Sequence, residues 1–261
     1  MREVKKLDIF VMILLPIVAL VISLLVSANF FISTLLFLGL PTIYLTFRAK
    51  PMAKKASLFS LIFSIPAVVI LDYIATVSKA WYVPTTIFPF RLFDIIPLED
   101  FIWTFLFIYL VALFYEYFFQ KGAKELTSLK VKPLLYVSAT ALVVFFILYF
   151  INPDFLYVKY AYFWIGLVVF VVPTIVFLSF YPKLLFGHLK MIPYFCFLLI
   201  IHELVASHLR HWEFPGTNYI GWINFFGIPI PFEEFFYVFF AGAIGITTYY
   251  ELFDNKDRLS M

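Results

Sequence analysis

Residues 71–81 read LDYIATVSKAW and residues 96–116 read IPLEDFIWTFLFIYLVALFYE; further along, 202–212 read HELVASHLRHW and 230–251 read IPFEEFFYVFFAGAIGITTYYE. The second pair of segments repeats the first. Asp72 stands nine positions before Trp81, as Glu203 stands nine before Trp212. Pro97, Glu99 and Asp100 match Pro231, Glu233 and Glu234, and the closing Tyr115-Glu116 matches Tyr250-Glu251. The copies are offset by 131 residues at the acid and the Trp, by 134 at the Pro and by 135 at the final Glu, so the second intervening loop is the longer. A repeat of this period divides the chain into two units, residues 1–120 and 121–261.

Composition decides the solvent in which these units fold. Hydrophobic residues make up 64% of the chain and charged residues 13%, and the mean hydropathy is +1.00. A soluble domain is roughly half apolar and about a quarter charged. The excess is organised into apolar runs long enough to cross a hydrocarbon core about 30 Å thick. Eight such runs fall near residues 9–27, 30–48, 57–78, 98–118, 131–151, 160–182, 189–208 and 232–252. The sequence therefore predicts an all-α polytopic membrane protein with four spans per copy. An even number of spans gives both copies one orientation, a parallel repeat about an axis along the membrane normal. The first apolar run continues past Val26 without a small-residue cleavage site, so it reads as an uncleaved helix rather than a secretory signal.

Charge sets the expected orientation. With the first residues inside, every Lys and Arg except Lys79, Arg91, Lys159 and Arg210 falls on the cytoplasmic side. Both termini are thus expected in the cytoplasm of a multi-pass protein of the cell membrane. The net charge of +3 requires no nucleic-acid partner, because the basic residues flank helix ends and meet anionic lipid there. The single Cys196 excludes a disulfide framework or a cysteine metal cage.

Ionisable side chains within spanning helices cost about 2.5–3.5 kcal/mol each on insertion scales and so call for a reason. Asp72, Glu99, Asp100, Glu203, Glu233 and Glu234 are all expected at similar depth, toward the outer half of the bundle. Acids after a proline are also ordinary helix-start chemistry, favoured by the helix dipole. Their double occurrence, each time with an upstream acid and Trp, favours a functional role. Glu116 and Glu251, at the opposite ends, read as interface anchors near Lys121, Lys124, Lys256 and Arg258. Aromatic residues crowd the acidic helices, among them Phe101, Phe235 and Phe236. Ring faces stabilise cationic charge, and an acid in an apolar pocket holds its proton more readily, so the combination suits carbocation chemistry. His202-Glu203 begins like a zinc-protease helix, but Ala206 stands where the second histidine belongs. No dinucleotide fingerprint, phosphate loop or nucleophile elbow occurs, so neither a cofactor nor a metal is expected.

An acid, a Trp nine positions on, then Pro-x-Glu-Glu/Asp-Phe opening an aromatic helix that ends in Tyr-Glu resembles the membrane-integral lycopene cyclase domain, the non-flavin carotenoid cyclases. The resemblance covers about 72–116 and 203–251 and matches the fused, two-repeat arrangement; elsewhere the copies agree only in hydropathy. The chain departs from the pattern in Leu71 before the first acid, in Glu203 in place of Asp, and in Asp100 where Glu is commoner. The resemblance implies redox-neutral cyclisation of the linear end group of lycopene or a related polyene, with membrane lipid as surroundings. It makes Glu99 or Asp100 and Glu233 or Glu234 the candidate acids. Asp72 and Glu203 become candidate bases or proton-sharing partners, and Trp81 and Trp212 join the helix aromatics in shielding the cation. Two other readings compete: a related enzyme adding water or an isoprenoid unit to a polyene, and a transporter with mirrored acidic sites.

Overall fold

The computed structural model describes residues 2–119 and 129–254, with the side chains of 2–4 left aside. Eight helices are long and apolar enough to cross a membrane: α1 (Lys5–Leu25), α2 (Phe30–Arg48), α3 (Lys50–Val77), α4 (Leu98–Phe118), α5 (Val131–Ile151), α6 (Ala161–Phe180), α7 (Pro182–Leu209) and α8 (Glu234–Leu252). The expected number and order of spans are therefore present. α3 and α7 begin earlier than hydropathy alone predicts. In α3 the added turns carry Lys54 and Lys55, and Lys55 is kept inside by ion pairs with Glu116 (2.6 Å) and Asp254 (2.8 Å). Glu116 also accepts from the Tyr250 hydroxyl at 2.9 Å, so an expected surface anchor is a buried tie between copies. Lys121, Lys124, Lys256 and Arg258 lie outside the described residues.

The packing has the two-fold logic of the repeat. α1 of the first copy lies on α7, the third helix of the second; reciprocally, α5 of the second lies on α3 of the first. α2 packs on α4 as α6 packs on α8, and α4 meets α8 at the centre. At the end of the bundle away from the basic residues, the chain leaves Trp81 and Trp212 and immediately pairs with itself. Tyr82 donates its amide to the Glu213 carbonyl at 2.9 Å, and Glu213 donates back to Tyr82 at 2.8 Å. This antiparallel exchange joins equivalent positions of the two copies.

The loops beyond it, read from the sequence only as connections, each form a hairpin. β1 (Arg91–Leu92) pairs with β2 (Ile96–Pro97), and β3 (Trp222–Phe225) pairs with β4 (Ile228–Pro231). Each hairpin thus ends on the proline that opens an acidic helix. Tyr219 binds the two loops together: its hydroxyl donates into the Lys79 and Ala80 carbonyls (3.1 and 3.0 Å) and accepts from Gly216 N at 3.2 Å. Burial pushes the Tyr219 phenol up to about 12, so it stays a neutral donor at any physiological pH. A side chain at Gly216 would press its Cβ to 2.4 Å from the Lys79 carbonyl oxygen, so only glycine allows this close approach.

Four spans contain π-helical stretches, at Leu35–Gly39, Ala67–Asp72, Gly166–Val171 and Glu234–Ala241. Those in α2 and α6 precede Leu40-Pro41-Thr42-Ile43 and Val172-Pro173-Thr174-Ile175, a Pro-Thr-Ile match at an offset of 132. Proline lacks an amide donor, and a widened turn is one way for a helix to accommodate the missing bond. The repeat therefore extends into the second helix of each copy, beyond the hydropathy-level agreement read there.

α6 approaches α8 through Gly166, where a Cβ would lie 2.1 Å from the Tyr237 ring. Gly166→Ala is expected to push the helices apart and destabilise the protein by about 1–3 kcal/mol, the usual range for overpacking. Thermal unfolding in detergent checks this, and an unchanged midpoint would show a looser α6–α8 contact.

Candidate active site

A cavity of about 540 Å³ runs through the bundle from the hairpin end toward the basic end. Asp72, Asp100 and Glu234 line it, with Trp81, Trp103 and Trp212. Further along, its walls are apolar side chains of α3, α5, α6 and α8, down to Leu134, Leu252 and Phe253. The three carboxyls are all at one end. This follows from helix direction: α4 and α8 begin at the hairpin prolines, so Asp100 and Glu234 lie in or beside their first turns, while Asp72 comes near the end of α3.

Each carboxyl has a definite neighbour. Trp81 is a neighbour of Asp72. Asp72, Arg91 and Glu99 are ionisable neighbours of Asp100. Arg91 is itself held by the Ile95 and Val83 carbonyls at 3.0 and 2.9 Å. Glu234 accepts from the buried Tyr162 hydroxyl, and the Tyr162 ring meets Trp81 edge-on at 5.0 Å.

The other acids have different surroundings. Glu99 Oε1 accepts from the amides of Ile87 (2.7 Å) and Phe88 (3.1 Å), and Glu233 Oε1 accepts from Ile220 N (2.7 Å). These are equivalent contacts in the two copies, and in each the first acid of the pair holds the loop ahead of its helix while the second faces the cavity. One acid facing inward from each pair is what the turn angle of a helix permits; the sequence does not say which. Glu203 also lies away from the cavity. It accepts from the Trp212 indole at 3.0 and 3.3 Å and from Ser207 Oγ at 2.9 Å. The nine-residue spacing of acid and Trp thus corresponds in both copies to a carboxyl–indole contact. His202 stacks on Phe37 at 4.7 Å, and His211 lies beside Ala28, donor or acceptor at 2.8 Å. Burial pushes the His211 imidazole below its usual range and favours the neutral ring.

Of the expected aromatic contacts, Trp81 and Trp212 line the cavity. Phe101 packs instead against the separate cluster that contains Val68, Tyr73 and Phe145, Phe235 lies against Phe225 and Phe239, and Phe236 is exposed on the outside. Trp103, Phe107 and Tyr237 line the cavity in their place.

A family model described as Lycopene cyclase matches residues 23–118 and 182–253, more than half of the chain. The protein belongs to the lycopene cyclase family. No curated protein and no solved structure matches it.

The matched segments contain all six acids and both tryptophans of the repeat, and so the carboxyl-bearing end of the cavity. They do not contain α5 or α6, which form much of its length. Tyr162 lies in that unmatched part and escapes sequence reading. Its counterpart at the 132 offset of these helices is Phe30, which meets Trp212 as Tyr162 meets Trp81 but has no hydroxyl, so the repeat carries no signal for it.

Replacing Glu99 by Ala strands the Ile87 and Phe88 amides and is expected to cost about 1–3 kcal/mol. Faster proteolysis of the 82–95 loop in intact membranes would report it; unchanged protection would show that the loop does not depend on Glu99.

Proposed function

We propose that this protein cyclises a linear end group of lycopene or a closely related carotenoid by proton transfer within the membrane. The observation that carries the reading is the meeting of Asp72, Asp100 and Glu234 at the aromatic end of an otherwise apolar cavity. Family membership supports a carotenoid cyclase role; the assignment of steps below rests on the cavity's chemistry.

Asp72 and Asp100 are neighbours, and two close carboxyls hold one proton between them more cheaply than they carry two charges. Trp81 neighbours Asp72, which suits the ionised partner of the pair, and Asp100 then serves as the acid. Its proton adds to the terminal double bond of the polyene and leaves a tertiary cation. The neighbouring double bond attacks that cation, which closes a six-membered ring and moves the charge onto a ring carbon. Glu234, oriented by Tyr162, takes a proton from an adjacent carbon, and the electrons of that C–H bond form the ring double bond. The substrate gains one proton and loses one, so no electron acceptor is consumed.

Trp81, Trp103 and Trp212 surround the place where charge develops. Their ring faces stabilise a desolvated cation by up to about 2 kcal/mol or more each when well placed. Equally, an apolar cavity keeps water from capturing the cation as an alcohol. Water addition and cyclisation therefore separate on exclusion of water, which this cavity favours. The distribution of Lys and Arg favours an outer-side location for the hairpin end and its acids.

Expression in a bacterial host that accumulates lycopene tests the reading. A cyclised pigment of unchanged mass is expected, and in heavy water each ring should retain one added deuterium. A product heavier by one water, or unaltered lycopene beside membrane-inserted protein, would overturn it. Asp100→Asn and Glu234→Gln are each expected to reduce cyclisation by about 10²–10⁴-fold at unchanged membrane abundance, the usual range for general acid–base groups. Pigment extraction with mass spectrometry measures the loss.

A further inference from the structure

The repeat provides two places for an acid–indole pair and two helix pairs to cover them, yet the halves differ. In the first copy α1 lies directly along α2. The space beside Glu203 is filled, with Phe37 fully buried against His202 and Phe30 edge-on to Trp212 at 5.7 Å. In the second copy, among the described residues, α5 and α6 lack this side-by-side packing: α5 leans on α3 and α6 on α8. The 132 offset of these helices pairs Phe37 with Val169, a smaller side chain that lines the cavity. The cavity occupies the gap that results. Ser138 and Ala141 of α5 line one side of it, and Ile165 and Val169 of α6 line the other. It reaches the outer surface at Val137, which lines the cavity while 58% exposed.

Shape and chemistry then limit what fits. The slot follows α8 from Glu234 to Leu252, roughly 27 Å at the ordinary helical rise. That is close to the bilayer's hydrocarbon thickness of about 30 Å. Its carboxyls are all at the hairpin end, and the remainder is apolar but for the hydroxyl-bearing Ser138 and Tyr249. A long polyene lying along the membrane normal has one end at the acids and the other at the far, unreactive end of the slot.

We propose that the fused chain holds one working site rather than two, entered sideways from the bilayer between α5 and α6, so that a polyene is processed one end per binding event. The inference rests on the cyclase reading for the identity of the polyene, though its geometry does not. Both ends of one molecule cannot reach Asp100 and Glu234 in a single visit. A doubly cyclised product requires release, reversal and re-entry.

The experiment uses the full chain in lipid nanodiscs with lycopene as the probe, and titrates quenching of tryptophan fluorescence to obtain stoichiometry. One polyene per chain is expected at saturation; two per chain would overturn the single site. Ala141→Trp, in the slot wall, is expected to weaken binding at least tenfold. Ile147→Trp, on the same helix but facing lipid, should leave it unchanged; equal binding by both variants would overturn the lateral entrance. A pulse of labelled lycopene followed by excess unlabelled lycopene then reads turnover. Label held in a one-ring product supports one end per visit, and label that proceeds to two rings despite the chase overturns it. Binding with the expected stoichiometry but no ring at all would defeat the cyclase reading and leave the site's geometry standing.

Discussion

A carboxyl group held within the bilayer costs about 2.5–3.5 kcal/mol on insertion scales, and this fold holds several. The hairpin end is organised around that cost. Indoles neighbour Asp72 and Glu203, a phenol meets Glu234, and backbone amides meet Glu99 and Glu233. The donors come from loops and neighbouring spans, so satisfying the acids also fixes the loops. Glu99 and Glu233 each draw a loop amide inward, and the loops in turn carry Trp81 and Trp212 to the cavity rim. The Tyr82–Glu213 exchange then locks the two rims to one another. Placement of the cavity carboxyls and loop structure share one set of hydrogen bonds, so an acid pair serves two purposes: its first member secures the loop and its second faces the cavity.

At the basic end the same cost is met with opposite charge. Lys55 lies between Glu116 and Asp254, and Asp8 accepts from Tyr44 (2.6 Å), from Arg48 (2.9 Å) and from Tyr117. These ties link α1, α2, α3, α4 and the end of α8. None of these contacts involves α5 or α6, and each of those helices has only 17% of its span buried, against 50% for α2. The two helices that wall the slot are therefore the least fastened part of the bundle, which is the property a lateral entrance requires.

Much of this was readable from residues alone because membrane constraints are severe. Backbone groups in hydrocarbon must bond internally, so apolar runs of the right length are helices. The repeat of Asp72–Trp81 in Glu203–Trp212 gave the two units and the acids at risk. What the sequence could not separate was Glu99 from Asp100, or Glu233 from Glu234: adjacent positions have similar local signals, and only the loop amides above decide which one turns away. Phe101, Phe235 and Phe236 fell outside the cavity for a related reason. Each neighbours an acid in sequence, but its side chain points about 100° or more around the helix from that acid. Tyr162 was illegible because it belongs to a helix whose partner in the other copy has Phe30 at that position.

Duplication also accounts for how one half came to be filled and the other open. Two equal sites would require two equal gaps, and each gap removes helix–helix contact from a bundle that has no hydrophobic drive between its spans and relies on packing. Once both copies are in one chain, a single gap suffices. The first copy can regain packing through Phe37 and His202 while its Trp212 still forms part of the shared cavity wall. The second copy keeps the gap and supplies Tyr162 and Glu234, and the first supplies Asp72 and Asp100. The site is thus composite, with one acid pair from one copy and the opposing acid from the other. Neither four-helix unit lines the cavity alone, so the proposed site needs both.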